Sequence, residues 1–427
     1  MSFDTALPEA IDRAWAMMAQ VGTRTADAPG ITRPAWSPAE EIAADAVRRF
    51  AAETGLDVAS DPYGNLVVTP AGQDAAAPAV TSGSHMDTVP HGGNFDGFAG
   101  VAAALAVVAA AQAAGAGVPL RAIAMRCEES PWFGTAYLGS RLLLGLSTLD
   151  ELGPMVRVDS GETLAAHVAA LGYPRAGEAV APPLTGQNTP AFIEMHIEQG
   201  PLLLEAGVPV GIATSIRGNV RFPDALCRGE YAHSAALPRR FRRDAVLAVA
   251  ELALVIDGYW AQRIDGGDED FVATVGKFAT DPAAHAMTKV AGEVAFSLNV
   301  GSTSPTVQDA ARALALETIA GIEERRGVTF MLGEETGTPP TPIPPVLRTM
   351  LHRSAAAAGI AATDIPTVGH DAAMFARAGI PAAVVLVQNE GGSHNPDERL
   401  AKAPFAAGVT TIGRTMLEIA AGGLDPA

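Results

Sequence analysis

The residues of this chain best suited to chemistry are imidazoles and carboxylates gathered in short Gly-rich segments. In SGSHMDTVPHGGNFDGFAGV, residues 82–101, His85 and Asp87 stand two apart. On an extended backbone such a pair shares one side, so the imidazole can face a metal while the carboxylate orients it from behind. Asp96 follows in Gly92-Gly93-Asn94-Phe95-Asp96-Gly97, where glycines let the backbone turn back over a strand end. A solvated loop would carry the same residues, so the downstream partners decide. Glu128 and Glu129 are adjacent, and two carboxylates that close repel unless a cation or a shared proton joins them. Residues 192–200, FIEMHIEQG, alternate apolar with polar and put Glu194, His196 and Glu198 on one face. His394 lies in a second Gly-rich loop, Gly391-Gly392-Ser393-His394. Together His85, Asp96, Glu129, His196 and His394 form an oxygen and nitrogen donor set that suits zinc or manganese.

Each of these residues needs a strand end or loop to hold it. Residues 65–69 and 79–82 are short β-branched runs leading to the His85 segment, and residues 121–127 form another apolar run ending at Glu128. Residues 10–21 have helical spacing. Ser37, with Pro38 behind it and Glu40 three residues on, marks the start of a helix over 38–54. Residues 100–114 are almost wholly Ala, Val and Leu, the pattern of a helix buried against a sheet. A helix is expected to start within 133–141, and residues 159–188 read as a helix followed by a surface excursion.

From about residue 213 the character changes. Residues 216–227 and 292–300 read as antiparallel strands, with a long amphipathic helix over 244–260 between them. Residues 345–358 then predict a helix and 379–387 a strand. These patterns predict an α/β protein: a mixed-sheet, metallopeptidase-like catalytic domain over 1–212 and 332–427, with an inserted α+β lid or dimerisation domain over 213–331. Ligands of open α/β sheets bind beyond strand C-termini, where the five candidate ligands fall.

The chain has 427 residues and a formal charge of -18, with 47 acidic against 29 basic side chains. That balance disfavours nucleic acid or an anionic membrane as partner and leaves a small-molecule substrate. No apolar run approaches the length of a membrane span. Two cysteines, Cys127 and Cys227, are too few for a disulfide framework and read as buried thiols. Residues 1–20 carry Asp4, Glu9, Asp12 and Arg13 with no signal-type stretch, and the chain reads as cytoplasmic.

Several motifs in order resemble the hydantoinase/carbamoylase family of dinuclear metal amidohydrolases, relatives of the zinc aminoacylases and carboxypeptidases. They are GSHMDTVPHGGNFDG, EES followed by FGTAYLGSR, FIEMHIEQGPLLLE at 192–205, RRDA at 242–245, GHDA at 369–372 and SHNPDE at 393–398. The family includes allantoate amidohydrolases, β-ureidopropionases and N-carbamoyl-L-amino-acid hydrolases, and the resemblance covers nearly the whole chain. It implies two divalent ions, zinc or manganese first and cobalt or nickel next, with Asp96 bridging them. His85 and His196 would complete one site, Glu129 and His394 the other. It further implies Glu128 as general base, Asp87 as the residue orienting the site, and His233 as an oxyanion donor that in relatives often serves the neighbouring subunit. The resemblance also implies that Gln199, Asn219, Arg221 and His370 bind substrate, and a homodimer through the inserted domain is expected.

The chain departs from the family at the substrate clamp. The Asp-x-Arg ending of the lid strand reads Asn299-Val300-Gly301, and the upstream Asn is Thr288. Arg217, Arg221, Arg239 and Arg240 are the nearest replacement cations. The expected reaction is hydrolysis of a linear C-N bond in an N-carbamoyl or ureido compound by metal-activated water. An aminoacylase-like or dipeptidase-like hydrolysis of an N-acyl amino acid or amide is the alternative, and a non-catalytic relative is the rival outside enzymes.

Overall fold

Four strands, each buried along its full length, form the parallel centre of a mixed sheet. In order across the sheet they are Ala382–Val387, Phe192–Ile197, Val80–His85 and Leu120–Met125. The computed structural model describes residues 1–175 and 177–424. Parallel strands buried on both faces need crossover helices. The apolar helix Phe98–Ala114 supplies one between Val80–His85 and Leu120–Met125, and its side chains are buried from Phe98 to Ala111. Gly100 allows its close approach, since a Cβ there would stand 2.1 Å from the Met195 carbonyl oxygen. Helices Phe3–Thr25 and Lys402–Gly422 pack against it.

The flanks of this sheet are antiparallel, with Leu66–Pro70 and Leu56–Ser60 on one side and Val210–Ile216 on the other. All four central strands end at the same sheet edge. Val80–His85 lies between Leu120–Met125, reached through its own crossover helix, and Phe192–Ile197, reached later. Such a change of winding direction opens the crevice in which α/β sheets hold ligands.

Helix Pro38–Thr54 starts as its cap residue dictates, Ser37 Oγ accepting from the Glu40 amide at 3.2 Å. The Glu40 carboxylate goes elsewhere. It accepts from the Trp36 amide at 2.8 Å and pairs with the buried Arg126, which also pairs with Glu41. The helix expected within residues 133–141 is Leu138–Leu143, delayed because Gly134 and Tyr137 take left-handed backbone at φ 71° and 66°.

The chain divides into two compact units, Met1–Thr214 with the segment from Ile343 onward, and Ser215–Pro342. The Ile343 amide donates to the Thr214 carbonyl at 3.1 Å, so the two ends of the first unit's gap lie side by side. The second unit is α+β. Strands Gly218–Arg228 and Glu293–Ser302 pair antiparallel, and helices Ala245–Asp265 and Pro305–Arg326 pack on them around a core that includes Phe222, Leu252, Phe296 and Ile322. This unit runs past residue 331, because Thr329–Met331 and Thr336–Thr338 both pair with Gly218–Arg228.

One expectation is corrected here. Helix Ala245–Asp265 is long and apolar enough to cross a membrane by length and composition alone. One face of it packs into the second unit, burying Ala245, Ala248, Val249, Leu252 and Ile256, and Glu251 on the helix pairs with Arg325 and Arg326.

Candidate metal centre

At the shared edge of the parallel strands, the five candidate ligands converge in two sets joined by one carboxylate. His85, Asp96 and His196 form one set, and Asp96, Glu129 and His394 the other, with ligand atoms in each within 4.8 Å of one another. Asp96 divides its oxygens between them. Its Oδ1 lies 3.5 Å from His85 Nε2 and 3.1 Å from His196 Nε2, and its Oδ2 lies 3.4 Å from His394 Nε2. Glu129 Oε1 is 3.3 Å from the same His394 nitrogen.

The outward ring nitrogens are occupied. His85 Nδ1 meets the Asp87 carbonyl at 3.1 Å and His196 Nδ1 the Ile197 carbonyl at 3.0 Å, which sets each Nδ1 as donor and turns Nε2 inward. This is the tautomer a metal-ligating histidine takes. A donor set of three imidazoles and two carboxylates, with one Asp96 oxygen facing each set, fits two divalent cations. His85, Asp96, Glu129 and His196 are buried, and His394 is half exposed.

Asp87 is fully buried and ties the two halves together. Its Oδ1 accepts from the Glu128 amide at 3.0 Å and Oδ2 from the Glu129 amide at 3.2 Å, while Oδ1 lies 3.4 Å from His85 Nδ1. Cys127, just before the glutamates, sits in left-handed backbone at φ 48°. Gln199 and His394 do the same at φ 65° and 58°. Non-glycine residues hold that conformation where surroundings over-determine it.

Glu398 supplies part of that constraint. Its Oε1 accepts from the Phe95 and Asp96 amides at 2.7 and 3.2 Å, and its Oε2 from Ser393 Oγ at 2.8 Å. It therefore clamps the Asp96 loop to the His394 loop. Gly93 makes room for it, since a Cβ there would stand 2.1 Å from the carboxylate, and Gly97 likewise leaves room for the His85 ring, 2.3 Å from such a Cβ. Ser393 Oγ also donates to Asp96 Oδ2. Reading the residues alone assigned no role to Ser393 or Glu398, although both stand in the SHNPDE motif.

The charges in the cluster perturb one another strongly. Burial opposes the imidazolium of His85, yet hydrogen bonds to Asp87 and Asp96 hold its pKa well above the usual value. Burial likewise opposes ionisation of Asp96, but the charge of His196 leads the contributions that keep its pKa well below the ordinary range. The hydrogen bond to Glu129 pushes His394 up to about 9. Burial, reinforced by Glu129 and Asp371 against the opposing charge of His85, raises Glu128 well above a normal carboxylate. An arriving cation must displace protons from these imidazoles.

Of the residues expected to bind substrate, two lie in this first unit. Gln199 Nε2 donates to Asp96 Oδ2 at 2.7 Å, and its buried Oε1 has no hydrogen-bond partner among the described residues. His370 is buried against the His196 ring, centroids 4.4 Å apart, with Nε2 2.7 Å from Thr367 Oγ1, and burial holds its pKa well below the usual value. It forms a third close group with Glu194 and His196, but Glu194 is already engaged by Ser84 Oγ and the Ala372 amide, at 2.7 and 2.8 Å.

The others lie on the second unit. His233 is exposed, and its Nδ1 accepts from the Ala235 and Ala236 amides at 3.1 and 3.2 Å, leaving the proton of the neutral ring on Nε2. Arg242 donates to the Ser234 and Leu237 carbonyls and braces the same loop. Asn219 Nδ2 reaches Thr338 Oγ1 at 3.3 Å, and its Oδ1 is buried without a partner among the described residues. Arg221 is exposed and donates to Asn299 Oδ1 at 3.0 Å. Arg217 is engaged by Asp270 at 2.8 Å.

A parallel-centred α/β sheet with two carboxylate-bridged histidine sets at its strand ends is the arrangement of a metal-dependent hydrolase. Residues 81–418 match the model of peptidase family M20/M25/M40, and the chain belongs to that family. Among curated relatives, it is 30% identical to an N-carbamoyl-L-amino-acid amidohydrolase of Paenarthrobacter aurescens, over 88% of this chain and 89% of that one. It is 29% identical to the allantoate amidohydrolase of Bacillus subtilis, covering 92% and 93%. Among solved structures, a hydantoinase/carbamoylase family amidase of Burkholderia multivorans superposes with a TM-score of 0.84 at 26% identity, covering 98% of each chain.

Proposed function

We propose that this enzyme hydrolyses the linear C-N bond of an N-carbamoyl or ureido compound with two divalent ions, zinc or manganese, at the Asp96 cluster. The observation that carries the reading is the division of Asp96 between two histidine sets with a protonatable glutamate, Glu128, one peptide from a ligand. The names of the relatives give the substrate class. Bound ions would supply Lewis acidity, polarising a carbonyl and making a water more acidic.

The chain's own residues then divide the remaining work. Glu128 takes a proton from the attacking water and returns it to the leaving nitrogen. Asp87 holds His85 and the backbone of both glutamates in register. His233, with its proton on Nε2, supplies a hydrogen bond to the developing oxyanion, and Asn219 and Arg221 bind substrate from the second unit. Gln199 and His370 serve the same reaction from the first unit, Gln199 through Asp96 and His370 beside His196.

We further propose a homodimer formed through the second unit, where Leu247 and Leu254 of helix Ala245–Asp265 are exposed, Leu254 at 70%. Two buried, unpaired cysteines suit a reducing cytoplasm. The test is a panel of N-carbamoyl, N-acyl and ureido compounds assayed with added Mn, Zn, Co and Ni. Release of ammonia and carbon dioxide supports the reading, and a carboxylic acid product without ammonia assigns the enzyme to N-acyl compounds instead.

A further inference from the structure

The second unit contains a cavity of about 940 Å³ between the turn Arg239–Phe241, the start of helix Ala245–Asp265 and the end of helix Pro305–Arg326. Six of the chain's 29 basic residues line it: Arg239, Arg240, Arg242, Arg243, Arg325 and Arg326. Only two carboxylates join them, and both are committed. Asp244 caps the Leu247 amide at 3.1 Å, and Glu251 receives Arg325 and Arg326, each at 2.6 Å.

The remaining arginines divide sharply. Arg242 spends its hydrogen bonds on the Ser234 and Leu237 carbonyls, which do not neutralise it. Arg243 reaches an acid only at 4.0 Å, at the exposed Glu230. Arg240 stacks over the exposed Phe241 ring at 4.6 Å, and among the described residues neither Arg240 nor Arg239 has an acidic partner. A chain of net charge -18 thus gathers six guanidinium groups around one hollow whose lining supplies only two carboxylates, Asp244 and Glu251. Arginine's planar fork matches carboxylate and phosphate oxygens in pairs, which a lysine cannot do. The volume falls in the range of small-molecule sites and exceeds the needs of a single phosphate.

We propose that this cavity binds a small molecule bearing two or more oxyanion groups, held by Arg239, Arg240 and Arg243 and by the arginine pair that Glu251 braces. None of its lining residues is a candidate metal ligand. Two chemistries share this pattern, organic bisphosphates and dicarboxylates, and the test distinguishes them.

The experiment is calorimetric titration of the full-length, metal-loaded protein with a hexose bisphosphate, with succinate and with inorganic phosphate, in about 150 mM KCl, where diffuse surface attraction is screened. These probes chelate metal weakly, and metal content is measured alongside. The expected result is saturable binding of the bisphosphate or of succinate, one per subunit, tighter than inorganic phosphate. It should weaken roughly 10- to 100-fold in Arg239→Ser/Arg240→Ser, the loss expected for charge-assisted hydrogen bonds. Arg243→Ser serves as a second variant that leaves the turn intact. Saturation by the bisphosphate alone assigns a phosphate ligand, and by succinate alone a carboxylate. Absence of saturable binding by either, or equal binding by wild type and both variants, overturns the proposal. So does a change of oligomeric state in the variants without probe binding by the wild type, which would mean that the arginines meet an acidic face of a second copy.

Discussion

The two units carry their functional residues in opposite ways. In the first, every candidate ligand is held by several contacts: His85 by Asp87, Asp96 by Ser393 and Gln199, and both loops by Glu398. In the second, His233 and Arg221 are exposed residues on paired strands, and their side chains make one or two hydrogen bonds each. Of the departures from the family, the two at the substrate clamp, Gly301 and Thr288, fall in the second unit, whereas Ser130-Pro131-Trp132 and the loop Pro366-Thr367-Val368-Gly369 depart in the first. A reaction that depends on ångström-level ligand placement is built where contacts over-determine each atom. Selectivity is built where a side chain can change without disturbing its neighbours.

The sharpest test of this contrast is Glu128→Gln. It should lower turnover by about 10²- to 10⁴-fold while metal content stays at the wild-type level, because glutamine keeps the shape and cannot take a proton. Loss of metal in this variant would move Glu128 into the ligand set. His233→Ala comes next, with about 10²- to 10³-fold lower activity and unchanged metal. Mixing His233→Ala with Glu128→Gln subunits should restore part of the activity if His233 serves the neighbouring copy; no recovery after demonstrated subunit exchange counts against that arrangement.

Smaller effects probe the scaffold. Glu398→Ala should weaken metal binding by about 10- to 100-fold in chelator competition, as for other residues that orient ligands from behind. Gly93→Ala should do the same by crowding the Glu398 carboxylate. Wild-type metal affinity in both would show that the loops need no clamp. The pH dependence has a defined sign. With the metal-free His394 at about 9, its proton must leave before it can ligate. Apparent affinity should therefore rise with pH between 7 and about 9, by at most about tenfold per unit for each proton displaced. A flat profile between pH 7 and 9 would mean that His394 is not a ligand.

The smallest effect concerns selectivity. Gly301 is buried in its strand beside Val272 and cannot offer a guanidinium. N-carbamoyl-α-amino acids should be preferred over analogues whose carboxylate is an amide by less than about 100-fold in kcat/KM, roughly 2.7 kcal/mol. A larger preference would direct attention to Arg221, Arg239 and Arg240, since Arg217 is engaged by Asp270.

Much of the site can be read from residue order, because its ligands sit where short buried strands end and glycine loops begin. The central strands are legible from their short apolar or alternating runs, and helix Pro38–Thr54 from Ser37 and Pro38. What cannot be read is which distant residues hold those ligands. Asp87 meets the Glu128 amide across 41 positions, Arg126 meets Glu41 across 85, and Glu398 meets the Asp96 amide across 302. Local pattern assigns Glu40 a capping role, yet a buried guanidinium makes the stronger demand on its carboxylate. Helix Pro305–Arg326 carries a Ser304-Pro305 start signal, but its weak amphipathicity hides it among neighbouring charged residues.

The hydrogen bond between the Ile343 amide and the Thr214 carbonyl has a consequence for engineering. A segment whose entry and exit points touch can be removed or exchanged with little loop-closure cost. Joining residues 214 and 343 through a short glycine linker should yield a free-standing hydrolytic module that still takes up metal. The same junction would accept the equivalent segment of a relative, making substrate range a transplantable property of this chain.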